Sequence, residues 1–316
     1  MEAKMSIIVD LRDENWMSDT DLKKIISADL PNVDIYCGPA TSKMPDITMA
    51  VVIKDLNQES INNLPNLKLI QKVGAGVEKA VLNKNLPDSV RIARMSSYFQ
   101  AKEMAEYCLA EILCYQRNIR GYSKNQLGEV WAPIQPEKTK SKTVCVLGMG
   151  LIGGQIAKLL KKFGFKVEGW SRTQKNIPGI KTYTKMAGLK KAVANADYII
   201  GILPETAETR SLLNSEIFGE FKRGSVLINI GRGTLIVEGD LLDALNQGLL
   251  IGATLDVTQN EPLPAGHPFW KHSKIAITPH VSGWDVDDAL KTIALNYRKL
   301  LKNEPLLFEV DRSRGY

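Results

Sequence analysis

Three short stretches hold the residues best suited to chemistry. They are Asn229-Ile230-Gly231-Arg232-Gly233, then Leu255-Asp256-Val257-Thr258-Gln259-Asn260-Glu261-Pro262-Leu263-Pro264, then Thr278-Pro279-His280-Val281-Ser282-Gly283. Each begins at or just after the end of an apolar run of strand length: Ser225 to Ile230, Gly252 to Val257, and Lys274 to Thr278. Ligands of open α/β sheets bind outside the carboxyl ends of the strands. Arg232, Glu261 and His280 are therefore expected at one mouth. Reduction of a 2-oxo acid needs that set. The Arg clamps the carboxylate and polarises the carbonyl. The protonated His gives its proton to the oxygen as hydride arrives at carbon. The Glu stabilises the imidazolium and fixes its orientation. Taken singly, an Arg before Gly reads as a surface cap and a Glu-Pro pair as a loop; their common placement and order set them apart. The other two histidines, His267 and His272, fall in a polar loop and read as surface residues.

An upstream stretch supplies the partner for such chemistry. Val144-Cys145-Val146-Leu147 reads as a buried parallel strand, and Gly148-Met149-Gly150-Leu151-Ile152-Gly153 follows at once. Apolar residues at Ile156, Ala157, Leu159 and Leu160 then have helical spacing. In strand, Gly-x-Gly-x-x-Gly, helix, the first glycine allows a tight turn. The second lets backbone approach a pyrophosphate, and the third lets helix pack on strand. The new helix turns its free N–H groups toward the phosphates. The end of the next strand selects the ribose. Ser171 stands 18 residues after Gly153, in Gly169-Trp170-Ser171-Arg172-Thr173-Gln174-Lys175. An acidic residue there would bind the 2′-hydroxyl of NAD, but the stretch offers Ser171, Arg172, Thr173 and Lys175 instead. A guanidinium pairs with a phosphate dianion, so NADP(H) is the preferred cofactor. A basic turn indifferent to the phosphate is the alternative, and it leaves NAD(H) possible.

These elements sit within a chain of 316 residues, long enough for two domains. Hydrophobic residues make up 44% and charged residues 24%, the balance of a globular protein. No apolar run approaches the roughly 20 residues of a membrane span, and the N-terminus has no secretory pattern. The four cysteines lack metal or redox spacing, so no metal site is expected and a reducing cytoplasm is the simplest setting. Cys145, inside the glycine-loop strand, reads as a small buried hydrophobe. The net charge of +6 comes from scattered lysines without interleaved aromatic residues, which argues against nucleic acid as a partner.

Residues 1 to about 97 alternate strands (near 6–10, 33–37, 49–53, 67–73 and 90–95) with helices (from Asp19 to before Pro31, and Gln58–Leu64). That pattern predicts a small parallel α/β domain with no phosphate fingerprint of its own. Lys102 to Arg117 is a long helical pattern, and Asn118 to Lys142 a polar, partly ordered connector. Six strands then follow, from Thr143 to Thr278, and match a doubly wound sheet. The tail from Val286 to Lys302 is helical.

At this point the chain resembles the D-isomer-specific 2-hydroxyacid dehydrogenases. The resemblance rests on the glycine loop, on Leu203-Pro204-Glu-Thr-Ala-Glu-Thr209, and on the three stretches in the order Arg, Glu, His. Within the family the glyoxylate/hydroxypyruvate reductase A group is most similar, through Trp170-Ser171-Arg172, Val73-Gly74-Ala75-Gly76-Val77 and Asp311 to Tyr316. The resemblance implies two Rossmann-like doubly wound domains, the cofactor domain inserted into the substrate domain. Residues 1–97 and 285–316 would bind substrate, and 98–284 the dinucleotide, with the cleft between them closing by a hinge near Ser97 and Gly283. It implies Arg232 on the substrate carboxylate and carbonyl oxygen, His280 as general acid, and Glu261 as the group that raises its pKa. The amides of Ala75 and Gly76 would hold the other side of the carboxylate. Leu151, Ile152, Leu203, Pro204 and Ile230 would line the cofactor with the glycines. Asp256 would accept from the nicotinamide carboxamide, or instead brace its strand end. Trp284 is open between the substrate pocket, the core and a dimer contact. A homodimer through the long helix is implied. The implied activity is NADPH-dependent reduction of glyoxylate and hydroxypyruvate. Ile53 stands where the group tends to carry Trp, which keeps bulkier 2-oxo acids such as phenylpyruvate as an alternative. A phosphonate- or formate-type dehydrogenase and a cofactor-sensing binding protein are further ones.

Overall fold

The computed structural model describes residues 5–12 and 16–313. The chain forms two compact units, Met1–Phe99 with Asp285–Tyr316, and Gln100–Trp284. Of the C-terminal stretch quoted above, residues 314–316 lie outside the described residues.

In the first unit, β1 (Ser6–Val9), β2 (Ile35–Cys37), β3 (Ile47–Val52), β4 (Leu69–Lys72) and β5 (Arg91–Ala93) form one parallel sheet, ordered β2-β1-β3-β4-β5. β1, β3 and β4 are buried along their whole length. Cover on both faces is why they read as continuous apolar runs rather than alternating ones. Helix α1 (Asp19–Asp29) opens on Ser18, whose side chain accepts from the Asp21 amide, and Asp19 and Asp21 suit the positive end of its dipole. Helices α2 (Gln58–Asn63) and α3 (Glu78–Leu82) follow β3 and β4; the second of these has no counterpart in the sequence expectations. The C-terminal helix Lys291–Leu301 sets Ile293, Ala294, Tyr297 and Leu300 into the same core as Ile7, Val9, Leu22 and Ile26. Ala75 and Gly76 sit half-buried in the loop after β4, preceded by Gly74 in a positive-φ conformation.

Helix α4 (Tyr98–Gln116) starts four residues earlier than its apolar pattern suggests. The carboxylate of Asp288 accepts from the Tyr98 amide at 2.8 Å and caps that first turn. The second unit continues with α5 (Ile119–Leu127), β6 (Thr143–Leu147), α6 (Leu151–Phe163), β7 (Lys166–Trp170), β8 (Lys181–Tyr183), α7 (Lys185–Ala194) and β9 (Tyr198–Gly201). After them come α8 (Ser215–Gly219), β10 (Ser225–Asn229), α9 (Glu238–Asn246), β11 (Leu250–Leu255) and β12 (Ile275–Ile277). Their seven strands form a parallel sheet ordered β12-β11-β10-β9-β6-β7-β8. This is the doubly wound order with one added strand, and it reverses between β6 and β9. Along β6, Val144 and Val146 enter one core while Cys145 and Leu147 enter the other, so the sheet is covered on both sides.

One expectation is corrected here. The sheet has seven strands, not six: β8 is a three-residue edge strand with exposed and half-buried residues, too short and too polar to show a pattern. The connector, expected to be partly ordered, holds a helix that the sequence expectations do not name. It begins with α5, which has no buried residue and hence no apolar face to read. Tyr122 of α5 ties down the extended part, its hydroxyl accepting from the Ile134 amide at 2.8 Å.

Candidate active site

The glycine turn lies after β6, at the point where the strand order reverses. Gly148 has φ 116°, and a Cβ there would lie 2.5 Å from the Ile202 carbonyl oxygen. A Cβ on Gly153 would lie 1.8 Å from the Gly148 carbonyl oxygen, so the first turn of α6 presses on the loop before it. Gly150 differs: nothing stands within 4 Å of its would-be Cβ. It is the N-cap of α6 and offers no side-chain cap bond, which leaves the first amides of the helix to a ligand. Two glycines thus close the turn and the third leaves room above it, as a pyrophosphate requires. Leu151 is exposed at the start of α6 and Ile152 half-buried. Across the switch point, Leu203 is buried and Pro204 half-buried after β9; Ile230 is buried after β10.

The turn after β7 keeps its shape through its own backbone. Ser171 is buried, and its hydroxyl donates to the Thr173 carbonyl at 2.9 Å. Thr182 of β8 donates to the Lys175 carbonyl at 2.6 Å. The seventh strand, invisible in the pattern, therefore shapes the turn that carries Arg172 and Thr173, both exposed.

Arg232, Glu261 and His280 follow β10, β11 and β12, adjacent strands of the sheet. Gly233 makes their approach possible, since a Cβ there would fall 1.9 Å from the Thr258 carbonyl carbon. Arg232 donates to the Gly231 carbonyl at 2.7 Å, and its own carbonyl accepts from the buried Asn229 side chain at 2.9 Å. Glu261 accepts from the Thr258 amide through Oε1 at 3.1 Å, and its Oε2 lies 2.8 Å from His280 Nδ1. The hydrogen bond to Glu261 raises the His280 pKa above that of an ordinary imidazole. Burial works against the rise, the Glu261 and Asp256 charges add to it, and the Arg232 charge opposes it. For Glu261 burial pushes upward, but the His280 contact, the Thr258 amide and Arg232 outweigh it, so its pKa is lowered. Both partners thus favour the charged pair.

His280 has φ 57°, the left-handed region that few residues other than glycine occupy. Asp256 holds it there. Only 1% exposed, Asp256 accepts the His280 amide on its backbone carbonyl at 2.9 Å. Its carboxylate takes Thr278 Oγ1 at 2.7 Å, the Val281 amide at 2.9 Å and the Ser282 amide at 3.0 Å. Those contacts give Asp256 the work of a strand-end brace. Trp284 is 43% exposed. His267 and His272 are half-buried rather than bare: His267 caps the turn Pro268–Lys271, and His272 accepts from the Lys274 amide. Sequence reasoning gives no role to Asn229, Thr258 and Thr278, which stand inside the three stretches, or to Tyr107 of α4, which bears no signal of its own. Among the described residues no group of three His, Cys, Asp or Glu is arranged to hold a metal ion. No helix among them is long and apolar enough to cross a membrane.

A dinucleotide turn and a charged His–Glu pair on one sheet edge fit the class of nicotinamide-dependent oxidoreductases. The family model "D-isomer specific 2-hydroxyacid dehydrogenase, NAD binding domain" matches residues 109–282. Glyoxylate/hydroxypyruvate reductase A of Photorhabdus laumondii is 38% identical over 265 residues, covering 82% of this chain and 84% of its own. Among solved structures, an NADPH-dependent glyoxylate/hydroxypyruvate reductase from Sinorhizobium meliloti, in complex with NADP and sulfate, superposes with a TM-score of 0.90 at 30% identity. The match covers 99% of this chain and 100% of that one. A D-isomer specific 2-hydroxyacid dehydrogenase from Xanthobacter autotrophicus, bound to NADPH and MES, also gives 0.90, at 31% identity over 98% and 99% of the two chains. The chain belongs to the D-isomer specific 2-hydroxyacid dehydrogenase family.

Proposed function

We propose that this protein reduces glyoxylate and hydroxypyruvate to the 2-hydroxy acids with NADPH, using His280 as the general acid. The observation that carries the reading is the 2.8 Å contact between His280 Nδ1 and Glu261. It commits one ring nitrogen to the carboxylate and leaves Nε2, on the far side of the ring, for the reacting oxygen. A bound nicotinamide supplies the hydride. Arg232 holds the substrate carboxylate and draws electron density toward the carbonyl oxygen. As negative charge grows on that oxygen, His280 Nε2 delivers its proton, and in the oxidation direction it takes the proton back. Glu261 keeps the ring charged and oriented throughout.

Support for NADPH comes from the turn after β7, where Arg172, Thr173 and Lys175 stand without a carboxylate, and from the NADP-bound relatives. Support for a homodimer comes from bare apolar side chains at the end of α5 and beyond it: Leu127, Val130, Trp131 and Ile134 are 88%, 54%, 98% and 58% exposed. A second copy of the chain would cover them. Sedimentation equilibrium tests this, and a monomer at every concentration rejects it.

The activity is tested by NADPH consumption with glyoxylate, hydroxypyruvate, pyruvate and phenylpyruvate, for the parent and His280→Ala. The expected outcome is turnover best with the small acids, and a loss of roughly 10² to 10⁴ in the variant. A preference for phenylpyruvate moves the assignment to bulkier substrates. Full activity in His280→Ala removes the histidine from its role.

A further inference from the structure

We propose that helix α4 is the support on which the acid–base loop is mounted, and that Tyr107 is a positioning residue for His280. The inference rests on the reading of His280 as the general acid.

Gln100, Glu103, Met104 and Tyr107 stand at helical positions i, i+3, i+4 and i+7, on one face of α4. All four meet the segment from Thr278 to Trp284. The Gln100 side chain donates to the Gly283 carbonyl at 3.2 Å, and Glu103 accepts from the Trp284 amide at 2.7 Å. Gly283 lies so close that a Cβ would come within 2.5 Å of Met104 Cγ and 2.8 Å of Gln100 Cγ. Those contacts fasten the far end of the segment. Its near end is fastened by Tyr107, whose hydroxyl is 2.6 Å from Thr278 Oγ1.

The direction of that last bond follows from proton counting. Thr278 spends its one hydrogen on Asp256 Oδ1 at 2.7 Å, so Tyr107 donates to Thr278. Burial pushes the Tyr107 phenol upward, which keeps it a donor at working pH. A chain therefore runs from α4 through Tyr107, Thr278 and Asp256 to the amides of His280, Val281 and Ser282. It ends on the residue in the left-handed conformation. The Tyr107 and Thr278 hydroxyls act on the His280–Glu261 pair through the loop, in which the Thr278 carbonyl also accepts from the His280 amide at 3.0 Å. The charged groups facing the His280 ring are Glu261, Arg232 and Asp256.

The test is Tyr107→Phe, which deletes one oxygen and keeps the ring that fills the core. Two readouts are taken: kcat with both KM values, and the titration of His280 followed by NMR of the histidine ring carbons. With three histidines in the chain, the His280→Ala spectrum identifies the signal. The expected result is a roughly 2- to 12-fold fall in kcat, the worth of one hydrogen bond, with KM for substrate and NADPH little changed. The His280 titration should move to lower pH, as the ring drifts from Glu261. Thr278→Val should do the same. The double variant should be no worse than either single, since both cut one chain. Thr278→Ser should restore the parent. Tyr115→Phe is the control: that hydroxyl is on the same helix but reaches Thr254, at 3.2 Å, and should leave kcat and titration alone. The inference is overturned if Tyr107→Phe leaves the His280 titration unmoved, or if Tyr115→Phe moves it equally. If Tyr107→Phe does not fold, the Thr278→Val and Thr278→Ser pair decides by the same readouts. The titration needs no substrate, so it decides the inference even if His280→Ala turns out fully active and the general-acid reading falls.

Discussion

Replacing Glu261 by Gln removes a charge and keeps a shape. The amide oxygen of Gln still accepts from His280 Nδ1, so the ring stays aimed. What disappears is the attraction between imidazolium and carboxylate. Unit charges about 4 Å apart attract by roughly 1 kcal/mol in water and about 4 kcal/mol at an effective dielectric of about 20. The two side chains are 53% and 40% exposed. Solvent screening therefore holds the pair to the lower part of that range, about 1–2 kcal/mol. That energy corresponds to a factor of roughly 5–30 in an equilibrium or a rate. Glu261 raises the His280 pKa, so the imidazolium is present at low pH and is lost as pH rises through the raised value. The proposed reduction consumes the imidazolium proton. In Glu261→Gln the alkaline limb of kcat for reduction should therefore move to lower pH. On the low-pH plateau the variant should stay near the parent, and above the His280 pKa it should fall below it by roughly 5- to 30-fold. Oxidation needs the neutral ring, so its acid limb should also move down, and the variant should outlast the parent at low pH. The assay is kcat against pH in both directions at saturating cofactor and substrate. A limb that stays in place, or moves upward, refutes the assignment of Glu261 as the group that holds the proton on His280.

Arg232→Gln should raise KM for the 2-oxo acid and lower kcat together, because the guanidinium would touch both bound substrate and transition state. Since the Arg232 charge lowers the His280 pKa, the alkaline limb should move upward, opposite to Glu261→Gln. Two glycine variants should separate folding from binding. Gly153→Ala meets the Gly148 carbonyl oxygen and should lower the melting temperature by several degrees or more, read by calorimetry. Gly150→Ala has open space and should melt near the parent, yet bind NADPH roughly tenfold more weakly by titration calorimetry; equal binding would mean the phosphates lie elsewhere. Arg172→Ser should raise KM for NADPH by roughly 10- to 150-fold, the worth of a charged hydrogen bond, and leave NADH unchanged. A parallel loss with both cofactors would refute its pairing with the 2′-phosphate.

What could be read from the sequence had a local cause. β6 is legible because burial on both faces demands consecutive apolar residues, and α6 because one face packs on that sheet. The glycine triplet is legible because steric exclusion at Gly148 and Gly153 acts within a six-residue turn. Arg232, Glu261 and His280 are legible because each lies a few residues beyond an apolar run. β8 and α5 were missed for the matching reason. A three-residue edge strand and a helix with no buried side chain meet no periodic demand, so their residues carry no period.

The support of the site belongs to a different order of information. Tyr107 is 171 positions from Thr278, Thr278 is 22 from Asp256, and Trp284 is 181 from Glu103. Such bonds fix a loop through single hydrogen atoms, and nothing near either partner in the chain announces them. In α4 the two kinds of information share one helix. Cys108 and Ile112 form an apolar stripe that the spacing reveals, while Gln100, Glu103 and Tyr107 look like ordinary helix residues until the loop they hold is in place. The proposed reacting residues must sit at strand ends to meet a ligand, and that rule is visible in sequence. Their brace needs only to reach them, from any distance along the chain. Asp256 shows the consequence. At the end of its strand it reads first as a ligand contact and second as a brace, and its three carboxylate donors, two of them amides of the His280 loop, are bonds that no local pattern announces.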